Sequence, residues 1–99
     1  MTIDKTLEGT SLTLALEGRL DTTTSPDLEE ALAASLDGVT ELVFDFSKLD
    51  YLSSAGLRVL LSAQKRMNRQ GTMKLRHVND TVKEVFDITG FADFLTIES

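Results

Sequence analysis

The sequence predicts an α/β fold, a mixed sheet with helices packed against it. Three features point there. Leu12, Leu14 and Leu16 alternate with Thr13, Ala15 and Glu17, the period of a strand with one buried face. Leu42-Val43-Phe44-Asp45-Phe46 is interrupted only by Asp45, as in a strand buried on both faces. Helical stripes of apolar residues separate the later strand-like runs, so the order β-β-α-β-α-β-α-β brings strands together under helices.

Taken in order, Thr2–Glu8 and Leu12–Glu17 read as strands joined by a turn at Glu8-Gly9-Thr10-Ser11, with Gly18 ending the second. The first helix starts with Ser25 as N-cap and Pro26 in its first turn, where Asp27, Glu29 and Glu30 favour the positive end of the helix dipole. Leu28, Ala31, Leu32 and Leu36 form its apolar stripe and Gly38 stops it. The central strand, 42–46, comes next. The second helix runs from about Ala55 to Gln70 with Leu57, Leu60, Leu61 and Met67 inward, and Gly71 closes it. Met73–Val78 reads as a strand. A last helix spans about Thr81 to Thr89, with Thr81 and Glu84 at capping-box spacing and Val82, Val85 and Phe86 on its apolar side. Gly90 sits where a left-handed C-terminal cap belongs, with Phe91 folding back onto Phe86. Phe94–Ile97 is a candidate edge strand.

Composition narrows the function. The 99 residues suit one domain, 1–99, and 41% hydrophobic content suits a folded core. Ten Lys and Arg against sixteen Asp and Glu leave a net charge of −6, which argues against direct nucleic-acid binding and against anionic membranes. The chain contains no cysteine, so thiolate metal sites and cysteine nucleophiles are excluded. The N-terminal segment lacks a signal-peptide pattern, and no apolar run approaches the ~20 residues of a membrane span. The expectation is a cytoplasmic protein without membrane insertion.

Little in the chain suggests catalysis. His77 is the only histidine, no local carboxylate spacing pairs with it, and it reads as an ordinary strand residue, so no metal is expected. No glycine-rich phosphate loop is present, and no cofactor is expected. A nucleophile elbow around Ser54 has Gly56 after the serine but Leu52 where the preceding glycine belongs. No catalytic residue is assigned.

The stretch Asp50-Tyr51-Leu52-Ser53-Ser54-Ala55-Gly56-Leu57 carries the strongest functional signal. A serine at a helix start is either a cap or a handle. Phosphorylation fits the handle, because the unpaired N–H groups of a first helical turn tolerate a charge of about −1.5 to −2. Ala55 and Gly56 place little bulk beside the hydroxyl, leaving the approach open.

The segments "GRLDTTTSPDL", "LVFDFSKLDYLSSAGLRVLL" and "VKEVFDITGF" resemble, in order and spacing, the STAS domain, and in particular the small single-domain bacterial anti-sigma factor antagonists. The resemblance covers nearly the whole chain and implies a mixed sheet of four to five strands flanked by helices. It also implies partner switching. The unphosphorylated antagonist binds an anti-sigma factor that is a GHKL-type serine kinase, phosphorylation dissolves the complex, and a PP2C-like phosphatase resets it. The family's phosphorylated serine falls on Ser54, with Ser53 the second candidate. Asp21, with Thr22 beside it, matches the acidic position of the G-x-L-D motif, and Asp45 a frequent Asp or Asn. Leu57 and Val85 match apolar positions beside the partner face, which also takes in Ser53, Ser54, Ala55 and Gly56. One departure stands out: Ser53 occupies the place where sporulation and stress-response antagonists carry Asp. Two rival readings are a structural accessory STAS subunit of a lipid-transport ATPase complex and a weak nucleotide-binding domain.

Overall fold

The computed structural model describes residues 1–98. The chain runs β1 (Thr2–Glu8), β2 (Ser11–Leu20), α1 (Ser25–Ser35), β3 (Glu41–Leu52), α2 (Ser54–Gln70), β4 (Thr72–Arg76), α3 (Asp80–Thr89), a 3-10 turn (Phe91–Asp93) and β5 (Ile97–Glu98). The five strands form one sheet in the order β1-β2-β3-β4-β5. β1 is antiparallel to β2, and every later pair is parallel. The expected α/β fold with a mixed sheet is what the chain adopts.

The register explains the core. Leu14 pairs with Phe44 and Phe44 with Leu75, so one face of the sheet is a continuous apolar surface. Leu28 and Leu32 of α1 with Leu36 just after it, Leu57, Leu60 and Met67 of α2, and Val82 and Phe86 of α3 close over it in a single cluster. Full burial of each such side chain stabilises the fold by about 1.5–3 kcal/mol. The opposite face carries Thr13, Val43 and Lys74 in one row and Ala15, Asp45 and Arg76 in the next. The central strand is buried on both faces at Val43, as expected, whereas Asp45 on the outer face is half-buried. Val43 is 2% exposed but stands outside the core cluster, among polar cross-strand neighbours. The reason is topological: β2 to β5 add in one direction, and right-handed crossovers then place every helix on the same face.

Several boundaries also shift. β2 passes through Gly18 to Leu20, and β3 extends to Leu52, six residues beyond Phe46. Pairing moves from Ala15–Asp45 to Glu17–Lys48, and from Gly18–Leu49 to Arg19–Tyr51, so β3 takes an extra residue at each step. These bulges keep the two strands paired past the polar Ser47 and Lys48, and they leave Asp45 in mid-strand. β4 stops at Arg76, because His77 adopts a positive φ of 57°. β5 is two residues long, shorter than the expected edge strand.

The helix caps differ from the expected ones at two of three starts. Thr24, not Ser25, precedes α1, and the Ser25 hydroxyl donates to the Asp21 carbonyl. Asn79 caps α3 by accepting from Val82 N–H at 2.8 Å, displacing Thr81 from that role. Gly90 ends α3 in the left-handed region as expected, at φ 78°. Phe91, half-buried against the core, sets its ring 5.8 Å from Phe94. Gly71 closes α2 for a steric reason, since a Cβ there would lie 1.8 Å from the Thr40 carbonyl oxygen.

Candidate functional site

The parallel pairing of β2 with β3 brings their carboxyl ends to one corner, where Leu20 lies opposite Leu52. Ser53 N–H donates to the Leu20 carbonyl at 2.9 Å, which joins the start of α2 to the end of β2. Asp21 and Thr22 therefore leave the sheet beside Ser53 and Ser54. Such an edge, outside the carboxyl ends of parallel strands, is where open α/β sheets place their sites.

The two serines have different tasks. Ser53 is the N-cap of α2, with φ −93° and ψ 173°, and its Oγ accepts from Gly56 N–H at 3.3 Å. Ser54 is the first helical residue and is exposed. Its hydroxyl points from the turn whose leading N–H groups have no intrahelical acceptor and carry the positive end of the helix dipole. α2 has no acidic residue in its first turn to occupy that field.

Asp21 is held by its own loop. Its Oδ1 accepts from Thr23 N–H at 3.0 Å and Thr24 N–H at 3.1 Å, and Thr24 Oγ1 in turn accepts from Asp21 N–H at 2.9 Å. The Thr24 N–H is the main reason the carboxyl sits below its ordinary pKa; burial opposes it, and Thr23, the Thr24 hydroxyl and the Arg19 charge add to the lowering. Arg19 Nε lies 3.6 Å from Asp21 Oδ2, and its guanidinium stacks 4.2 Å over the Tyr51 ring. Neither Arg19 nor Tyr51 was singled out from sequence. Both lie inside segments that carry the family resemblance, but their meeting depends on the register Arg19–Tyr51, which exists once the second bulge is known.

Not every expected residue reaches this corner in the expected way. Gly56 is buried, and a Cβ on it would stand 2.7 Å from Leu20 Cγ, 2.8 Å from Leu52 Cδ1 and 2.9 Å from the Leu20 carbonyl oxygen. Its smallness admits the strand ends beneath α2; it does not open an approach from outside. Ala55, half-buried, is the small residue on the outer side. Leu57 is 4% exposed and belongs to the core. Val85 sits on α3, half-buried against the core.

Asp45 and His77 form a separate pair. His77 Nδ1 lies 2.9 Å from Asp45 Oδ1, which also accepts from Ser47 N–H at 2.9 Å. Burial pushes the Asp45 carboxyl up, but the His77 hydrogen bond and the Ser47 N–H outweigh it and leave the pKa lowered. His77 is thus an exposed partner of a distant carboxylate, not an ordinary strand residue. Because Asp45 lies seven residues short of Leu52, His77 is on the order of 20 Å along the sheet from the serines. It cannot serve Ser54 as a base. Among the described residues, no three His, Asp or Glu side chains gather as a metal site. No described helix is long and apolar enough to cross a membrane.

Comparison with known proteins identifies the family and the fold. The family described as STAS domain matches residues 2–99. BtrV of Bordetella bronchiseptica, which is described as an anti-sigma factor antagonist, is 38% identical over 99 residues, covering 98% of this chain and 84% of its own length. The anti-sigma-B factor antagonist of Staphylococcus aureus is 26% identical over 99 residues, covering 98% and 92%. Among solved structures, unphosphorylated SpoIIAA superposes with a TM-score of 0.85 at 18% identity, covering 99% of this chain and 89% of that one. Phosphorylated SpoIIAA from Bacillus gives 0.77 at 17%, covering 99% and 92%.

Proposed function

This chain belongs to the STAS domain family, and on that premise we propose that it is a cytoplasmic, non-enzymatic anti-sigma factor antagonist whose switch is Ser54. Unphosphorylated, the single domain binds an anti-sigma factor that is also a GHKL-type serine kinase. Transfer of the ATP γ-phosphoryl group to Ser54 Oγ, with loss of the hydroxyl proton, ends that complex. A PP2C-like phosphatase restores the hydroxyl by hydrolysis.

One observation carries this reading: of two adjacent serines at the start of α2, one is engaged as a cap and the other is exposed. A phosphate on Ser54 would meet a helix N-terminus that favours negative charge, so the fold would tolerate it. The effect then falls on the interface, where Asp21, Thr22, Ser53, Ser54 and Ala55 form the outward surface and Gly56 and Leu57 support it from beneath. Added charge in an interface fitted to a neutral hydroxyl acts through repulsion and desolvation.

Incubation with the cognate kinase and ATP, followed by phosphopeptide mapping, should place phosphate on Ser54. A Ser54→Ala chain still labelled stoichiometrically would overturn the assignment, and label on Ser53 would move it there. Ser54→Glu should keep the fold while weakening partner binding; unaltered affinity would count against an interface mechanism.

A further inference from the structure

We propose that the groove between α2 and the 3-10 turn is a second interaction surface, a docking site for an acidic amphipathic helix of a partner protein. The groove has a volume of about 400 Å³ and is walled by Leu61, Phe91 and Phe94, with Arg58 and Lys65 at its margin. Phe94 is 68% exposed, an aromatic side chain left largely uncovered. Gln64 also lines the groove, and its side-chain oxygen is buried without a hydrogen-bond partner, an acceptor for a donor on the occupant.

Charge selects the occupant. The chain carries a net charge of −6, yet no Asp or Glu lines this groove. α2 holds Arg58, Lys65, Arg66 and Arg69 and no acidic residue. Arg66 is paired with Asp37 at 2.7 Å, whereas Arg58 and Lys65 take part in no ion pair among the described residues. An apolar trough flanked by unpaired cations fits an apolar stripe flanked by carboxylates. From Arg58 to Asn68 the groove follows α2 for about 15 Å, enough for nearly three turns of a docked helix with anchors at i, i+3 or i+4, and i+7.

A second copy of the chain is the poorer occupant. Its most acidic helix, α1, already spends Leu28 and Leu32 on its own core, and two chains of the same net charge repel. The groove also lies on a significant face. Ser54, Arg58, Leu61 and Lys65 follow at i, i+4, i+7 and i+11, so a partner held in the groove lies along the side of α2 that presents Ser54.

The test uses the folded chain, 15N-labelled, and two synthetic helical peptides of about 16 residues that share a Leu/Phe stripe. One is flanked by Glu, the other by Lys. The Glu peptide should shift the amides of Arg58, Leu61, Lys65 and Phe94 saturably, while the Lys peptide should not. Lys65→Glu and Phe94→Ser, both at solvent-facing positions, should each weaken the Glu peptide about tenfold with the rest of the spectrum retained. Ser54→Ala should bind it as the parent chain does, so failure of the phosphorylation reading would leave this one standing. Equal binding of both peptides, shifts confined to other surfaces, occupation by sodium dodecanoate alone, or dimerisation through the groove would each overturn the proposal.

Discussion

The starts of α1 and α2 are neighbours at the carboxyl ends of β2 and β3, and they use hydroxyl side chains in opposite ways. Before α1, Thr24 bonds the Arg19 carbonyl and the Asp21 amide, and Ser25 bonds the Asp21 carbonyl. Those groups stabilise the loop and are unavailable to a partner. Before α2, Ser53 alone closes the turn, and Ser54 is left exposed. Two corners built from similar residues therefore divide into a stabilised platform and a presented group. The hydroxyl proposed as the switch is the one that makes no hydrogen bond among the described residues.

Substitutions can break or sharpen this division. The largest loss of stability should come from Gly56→Ala, since the added methyl meets Leu20 and Leu52 below 3 Å, including backbone. A cost of about 1–3 kcal/mol is expected, read as a lower urea midpoint at unchanged m-value. An unchanged midpoint would show that the α2 corner is looser than its geometry. Ser53→Ala removes the cap and should cost about 1 kcal/mol, visible as a drop in Tm of roughly 4–8 °C. A smaller effect belongs to Asp21. Its folded pKa lies below the ordinary carboxyl value, so the unfolded chain binds more protons in that range. The stabilisation it provides is present above about pH 4 and is lost as pH falls through the folded value. Asp21→Asn should therefore flatten the acid limb of a stability–pH curve and leave the neutral region almost unmoved. Ser54→Ala should be the smallest of all, within about 0.5 kcal/mol, although it abolishes the proposed switch. A large loss there would mean that Ser54 is structural and that the contrast between the two serines fails.

What was legible in the sequence was mostly local. The alternation in 12–17, the stripe in α1, Gly71 and Gly90 each act through neighbours a few residues away. The serine pair at the start of α2 was legible for the same reason, because capping is decided within one turn. What was hidden depends on register. Asp45 and His77 are 32 residues apart and meet only because β3 and β4 pair in parallel. Gly56 read as an open approach because its tight neighbours, Leu20 and Leu52, arrive from two other elements. The caps at Thr24 and Asn79 were missed by a residue or two, where several adjacent polar side chains could all serve. The polar outer face of the sheet follows from the direction in which strands add, a property of no single segment.

The hydrogen bond from Ser53 N–H to the Leu20 carbonyl spans 33 positions of chain and closes across the whole β2–α1–β3 crossover. Such a closure is entropically costly in an unfolded chain and forms only together with the sheet. The setting of Ser54 is accordingly a conformational epitope. A short peptide carrying Asp50 to Leu57 alone lacks the strand ends that orient the turn. An enzyme that reads this corner would ignore nascent or damaged chains and act on those that have completed folding. Modification at this position would then count folded molecules, not synthesised ones.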